Sequence, residues 1–337
     1  MPTYAGYKKQ KDAGPDDIKG IDVKVPDWIE EAKENSTGDF EYKTPSQSPF
    51  PVFVMCQPYF AETDIANNVW MKALNEKDRD LNLEKMCGEW FELYRLIASN
   101  ALVYLLPPKK GLQDQVYVNS FAILPHLDKK NIAILSNFTA EGRAGEEVVA
   151  GDFLKKLGYT CVKPATKFEG FPELKYLKDT IYFGGYGFRT DPKTYDWLES
   201  KYDCNIIRIK EKDEHLYHLD CTLFVIDEEN VMCCTSLFDK KTVNEIEEVA
   251  SIHDVSIEAC HESVCNAVRV KDLIIVCSSL MYMSKGEKDY KKERKKNDEV
   301  EKICSDLGVE LMYIELEECA KSGAALSCML TPLAIRF

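Results

Sequence analysis

Cys328 stands in a stretch of small residues, KSGAALSCM over 321–329, where Gly323 lets the backbone come close to a ligand. A thiol attacks carbon only as the thiolate, so a nucleophilic role asks for cationic surroundings or a cationic substrate. Taken alone, Cys328 reads equally as one more buried cysteine among thirteen. His218 lies in HLYHLDC over 215–221, two residues before Asp220. On a strand both side chains would point to one face. An imidazole can protonate a leaving amine and then take a proton from water near neutral pH. The same pair also reads as a structural contact at a strand end. Glu169 sits between Phe168 and Gly170, ahead of a turn. It suits a carboxylate that orients an imidazole, or an ordinary turn carboxylate. His126, His215, His253 and His261 read as surface or loop residues.

Other constellations fall away. The glycine-rich run at 184–187, followed by Phe188, Arg189 and Thr190, lacks both the Gly-Lys-Ser/Thr ending and the GxGxxG spacing of a phosphate loop. There is no CxxC pair and no HExxH, and Cys233 and Cys234 are adjacent on a strand-like run, so neither a metal nor another cofactor is expected. The net charge of −14 argues against a binder of nucleic-acid backbones and favours the handling of small, cationic molecules. Cysteines set mostly inside apolar runs fit a reducing compartment. No N-terminal apolar stretch suggests a signal peptide, and no run of eighteen apolar residues could span a bilayer. The expectation is a cytoplasmic protein with no membrane partner.

The elements that must position these residues are short. Residues 1–48 are polar and aperiodic and read as an extended or partly disordered arm, with a possible short helix at 27–34. Residues 49–337 read as a single mixed α/β domain. Strands are expected at 52–55, 101–106, 115–118, 132–136, 180–183, 205–209, 222–226, 231–234, 266–270, 273–277 and 310–314. Helices are expected at 81–100, 146–156, 192–201, 240–249 and 290–307. The basic run at 291–296 reads as a solvated helix face. A strand-associated polar residue recurs about every 50 residues, near Asp114, Glu169, His218, Asn266 and Cys328. Such spacing suggests modules arranged around an axis, which would gather those positions at the centre.

In order, Phe168-Glu169-Gly170, the 185–190 run GYGFRT, His218 with Asp220, Asn266 and Gly323 with Cys328 resemble the guanidino-group-modifying enzymes of the pentein fold. Asn68 with Trp70 and Met71, the 112–117 run LQDQVY, and Gly142-Arg143 with Glu146 agree with that pattern. The resemblance runs from about Pro51 to the C-terminus. Its members include dimethylarginine dimethylaminohydrolase, arginine deiminase, arginine dihydrolase domains and amidinotransferases. The resemblance implies a five-bladed, pseudo-symmetric α/β propeller of ββαβ-type repeats with a site on its axis. It implies Cys328 as nucleophile, His218 as general acid and then base, and Glu169 as the group orienting His218. Asp220 would bind guanidinium nitrogens, and Arg143 and Arg189 the substrate carboxylate. Asn68, Leu112, Asn119 and Ser120 would complete the substrate pocket.

Three features, at four positions, depart from the pattern. Neutral Asn119 and Ser120 stand where relatives often carry an acid or amide touching the guanidine. Glu173 replaces an aspartate, and Ser327 a histidine. The implied activity is hydrolysis of arginine or methylated arginine through a covalent thiouronium, giving citrulline plus ammonia or a methylamine. The alternatives are arginine dihydrolysis to ornithine and ammonia, amidino transfer, and a catalytically silent amino-acid-binding protein. The implied partner is a small guanidino compound, not a nucleic acid.

Overall fold

Three short strands and one helix, repeated five times, form the framework of the 44–287 and 289–337 segments that the computed structural model describes. The strands are β1 (Val52–Cys56), β2 (Leu102–Leu106), β3 (Phe121–Ile123), β4 (Ile132–Leu135), β5 (Thr160–Val162), β6 (Leu174–Lys178), β7 (Ile181–Tyr186) and β8 (Asn205–Lys210). They continue with β9 (Leu223–Val225), β10 (Asn230–Cys233), β11 (Ser251–Asp254), β12 (Val268–Val270), β13 (Leu273–Cys277), β14 (Glu310–Ile314) and β15 (Thr331–Ala334). The helices that bridge them are α1 (Leu83–Ala98), α2 (Glu146–Lys156), α3 (Lys193–Tyr202), α4 (Lys240–Glu247) and α5 (Tyr290–Leu307).

The sheets are β3-β4-β5, β6-β7-β8, β9-β10-β11, β12-β13-β14 and β15-β1-β2. In each, the first-named strand runs antiparallel to the middle one, and the middle one runs parallel to the last. A parallel pair needs a crossover, and the helix between middle and outer strand supplies it. The expected five-bladed α/β propeller of ββαβ repeats is therefore the architecture. The first and last parts of the ring join through β15 on β1, with Pro332 tolerated because β15 is an edge strand.

The helices follow from sequence in ordinary ways. Asn82 caps α1 by accepting the Lys85 N–H, and Met86, Trp90, Leu93 and Ile97 recur at helical spacing on its buried face. Burying each such side chain contributes roughly 1.5–3 kcal/mol. Asp239 caps α4, and Gly308, at φ 67°, ends α5.

Two expectations fail. The 115–118 segment is a turn, not a strand, with Tyr117 N–H donating to Asp114 O at 2.9 Å. Its polar residues face inward: the Gln115 side chain binds Lys109 N–H and Pro107 O, which ties loop to loop instead of building a ladder. His218 and Asp220 are also not on a strand. His218 is extended and precedes a single 3-10 turn, Leu219–Cys221, which leads into β9. Strands β3, β5, β6, β11 and β15 went unrecognised, because three to five residues are too few to show a period. In β6, two lysines disguise the strand further.

At the start of the described chain, Ser46 Oγ is hydrogen-bonded to Tyr159 OH at 2.6 Å, and Arg336 donates to Ser48 O at 3.0 Å. The rest of the predicted arm, including the 27–34 helix, lies outside the described residues. Among the described residues no helix is long and apolar enough to cross a membrane.

Candidate active site

Each inner-edge strand is entered from a loop, and the candidate residues sit in those loops. Asn119 precedes β3, Glu169 precedes β6, His218 and Asp220 precede β9, Asn266 precedes β12, and Cys328 precedes β15. The sequence recurrence is thus a structural one, with its first member at Asn119 and not at Asp114.

His218 is buried, and its Nε2 lies 2.9 Å from Oε2 of Glu169. Glu169 is wholly buried and takes two further partners: the Thr139 N–H at 2.9 Å and Nη1 of Arg189 at 3.2 Å. Burial pushes its carboxyl up, but the His218 hydrogen bond and the Arg189 charge outweigh burial and hold it at about 2. A carboxyl so depressed stabilises the fold by about 3 kcal/mol above its ordinary range, and that contribution is lost as pH falls through about 2. The backbone leaves Glu169 through Gly170 at φ 67°, where an added Cβ would lie 2.2 Å from Asn119 O.

Cys328 is 8% exposed. Its sulfur accepts from Nδ2 of Asn266 at 3.8 Å, while Oδ1 of Asn266 takes the Ser327 N–H at 2.8 Å. Ser327 Oγ donates to Oδ2 of Asp220 at 2.6 Å. Burial, then the charge of Asp220, pushes the thiol up to about 11, so it rests protonated. Lys175, on β6, places Nζ 4.0 Å from Asp220 and 3.7 Å from the centre of the Phe171 ring, and burial lowers its pKa.

Two cavities meet at these groups. The inner one offers about 370 Å³ of empty space, part of it open to solvent, and is lined by Asn68, Asn119, Arg143, Arg189, His218 and Cys328 among others. A wider outer chamber reaches Asp220, Asn266, His218 and Cys328 from the other side. Tyr217, His218, Ala324 and Cys328 line both. Oδ1 of Asn119, in a residue 2% exposed, has no hydrogen-bond partner among the described residues, nor has Oγ of Ser120.

The remaining predicted residues are placed as follows. Arg143 lines the inner cavity, but Nε and Nη2 bind Glu146 at 3.1 and 2.6 Å, and Nη2 also donates to Tyr117 O. Arg189 lines it too, with Nη2 on Asn67 O at 2.9 Å and its guanidinium over the Tyr217 ring. Asn68 lines the cavity while its side chain caps the Val69–Ala73 helix and donates to Ser322 O. Leu112 is half-buried, with Cδ2 near Gly145, and lines neither cavity. His126 proves half-buried and bonded to Tyr182 OH and Tyr202 O, so its role is structural. Sequence reasoning missed Tyr217, whose OH donates to Gly323 O at 3.0 Å, and Lys175. Tyr217 stood beside His218 in plain view; Lys175 lay in an unrecognised strand.

The buried Arg143–Glu146 pair makes a test of stability. Glu146→Ala strands a guanidinium that is 6% exposed, and the expected loss is about 3–5 kcal/mol by urea denaturation at pH 7. A loss below about 1 kcal/mol would show that Arg143 re-pairs elsewhere.

No family model matches the chain. It is 24% identical over 284 residues to the bifunctional arginine dihydrolase/ornithine cyclodeaminase AgrE of Nostoc sp., a match covering 82% of this chain and 37% of that protein. It is 26% identical over 180 residues to the N(G),N(G)-dimethylarginine dimethylaminohydrolase of Mycobacterium tuberculosis, covering 53% and 57%. Among solved structures it superposes with TM-score 0.71 on the N-terminal domain of ArgZ, a cyanobacterial arginine dihydrolase captured as a cysteine-to-serine mutant with substrate. That match is 23% identical and covers 84% of this chain and 98% of the neighbour. The chain thus spans little more than a third of the bifunctional relative, and its fold is the pentein propeller.

Proposed function

We propose that the chain is a thiol-dependent hydrolase that acts on the guanidine carbon of arginine or a close derivative. The observation that carries this reading is the convergence, on shared cavity walls, of Cys328, a His218 backed by Glu169, and the unpartnered Oδ1 of Asn119. Oδ1 of Asn119 is an acceptor awaiting an N–H donor, and a guanidinium offers five. Asp220 supplies the counter-charge on the outer side.

The resting thiol needs help to ionise. Bringing it from about 11 to neutrality takes about 5 kcal/mol. One positive charge about 4 Å away supplies about 4 kcal/mol at an effective dielectric of 20. The substrate's own cation therefore provides most of the activation. The thiolate attacks the guanidine carbon, and His218 protonates the departing amine, leaving a thiouronium on Cys328. His218 then takes a proton from water, whose oxygen adds to the same carbon, and the carbon–sulfur bond breaks to return Cys328 and release a urea-type product. Glu169 keeps the imidazole oriented for both proton transfers. The arginines of the inner cavity take the carboxylate end of the substrate, where planar donors suit it.

A second reading is favoured by the arginine dihydrolase named among the relatives. On that reading the first product stays in place, Cys328 attacks the same carbon again and expels one of its two remaining amines, and a second water releases a carbamic acid that falls to carbon dioxide and the other amine, for a total of ornithine, carbon dioxide and two ammonia molecules. Neutral Asn119 fits both the charged guanidinium and the uncharged ureido group of the first product. The test is incubation with arginine and with mono- and dimethylated arginines, read by mass spectrometry. Citrulline as end product supports single hydrolysis, and ornithine without citrulline supports the second reading. No product from any of these substrates overturns the proposal.

A further inference from the structure

We propose that Glu173 and Glu211 share a single proton and act as a positioning pair that holds together the loops carrying Glu169, Arg189 and His218. The proposal rests on the hydrolase reading only for its catalytic consequence. Glu173 and Glu211 are 0% and 7% exposed. Their carboxyls converge on Gly185, where an added Cβ would lie 2.4 Å from Oε2 of Glu173 and 2.8 Å from Oε1 of Glu211. A side chain at 185 would separate them; glycine makes the meeting possible.

Each carboxyl also ties down backbone next to a site residue. Oε2 of Glu173 accepts the Leu219 N–H at 3.3 Å, one residue after His218. Oε2 of Glu211 accepts the Phe188 N–H at 3.3 Å, one residue before Arg189. The Glu173 N–H donates to Gly170 O at 3.1 Å, one residue after Glu169. The pair therefore joins three loops, each adjacent to a group of the proposed site.

The proton follows from donor counting. Oε1 of each residue receives no N–H or O–H from any other described residue. Oε2 of Glu173 and Oε1 of Glu211 flank the same point beside Gly185, so the two carboxyls face one another there. Two buried carboxylates so placed repel one another and bring no donor of their own, and one proton held between them relieves both defects. Burial, and then the neighbouring carboxylates, raise both groups above the usual carboxylate range. Titratable groups acting on the pair include Glu169, Asp220, Tyr195 and Lys175, of which Lys175 brings positive charge. Tyr195 spends its OH on the Glu173 and Gly185 carbonyls, so it cannot replace the shared proton.

The native state thus binds a proton that the unfolded chain releases near its ordinary carboxyl range. Stability from this pair is full below that range and declines as pH rises through the raised folded value. Glu211→Gln and Glu173→Gln each replace the protonated acid with an amide donor and remove the need for a proton. Thermal melting from pH 5 to pH 9 is expected to show a wild-type decline that each glutamine variant flattens. Melting needs no substrate, so it judges the pair even if every guanidino compound proves inert. With an active enzyme, the glutamine variants should keep kcat within about threefold at pH 7, whereas Glu211→Ala should lower kcat at least tenfold. Adding glutamine at 211 in place of that alanine should restore it. Melting curves of the glutamine variants that track wild type across the whole range would overturn the proposal, as would an unaltered kcat in Glu211→Ala.

Discussion

Cys328→Ser is expected to lower kcat by at least about 10⁴-fold while the protein still folds. Serine is close to isosteric, and the Nδ2 donor of Asn266 that touches the sulfur can serve a hydroxyl equally well. The change in stability should stay within about 1 kcal/mol. The chemistry is another matter. A guanidinium is a resonance-stabilised, poor electrophile, and a serine hydroxyl is far harder to ionise than a thiol. The one-cation activation that brings Cys328 near neutrality falls well short for serine. Cys221, whose sulfur lies 3.8 Å from Oδ1 of Asp220 and which lines the outer chamber, is the control. Cys221→Ser should retain turnover. If Cys328→Ser kept activity within tenfold of wild type while Cys221→Ser lost it, the nucleophile would have been misassigned.

The second large effect separates the two halves of the reaction. His218→Ala should reduce steady-state turnover by about 10²–10⁴-fold, and the loss should fall on release. The thiolate can still form beside a bound cation, so a slow first step proceeds. Without an imidazole, water is not activated, and the covalent thiouronium persists on Cys328. Intact-protein mass spectrometry after incubation with arginine should show one adduct, the mass of substrate less one ammonia, absent in the double variant with Cys328→Ser. A single variant that turns over at the wild-type rate would remove His218 from the proton chemistry. Glu169, deprived of its hydrogen-bond partner, keeps Arg189 and the Thr139 N–H, so the site should not collapse.

Much of this architecture was legible because the middle strands and long helices carry strong patterns. The 290–307 helix has the expected bounds, and 273–277 is an unbroken apolar run between turn residues. Three of the five inner strands, β3, β6 and β15, escaped notice for a physical reason. They are three to five residues long, and their faces are set by the ring centre and not by solvent, so no alternation marks them. The candidate residues were findable because each stands a few residues ahead of such a strand, which makes spacing along the chain an image of rotation about the centre. Glu211 left no such trace. It follows β8 on an outer strand, and only the folded chain brings it against Glu173. The same holds for Lys175, whose burial beside Asp220 no local pattern announces.

The pairing of β15 with β1 has a consequence for when the molecule becomes reactive. The sulfur rides on the stretch just ahead of the strand that clasps the last blade to the first. Every other member of the group can be laid down while the ring is still open. Fraying of that strand would loosen the sulfur together with Ser322 and Ala324 of the same cavity wall, so thiol reactivity toward a guanidine is tied to closure of the ring.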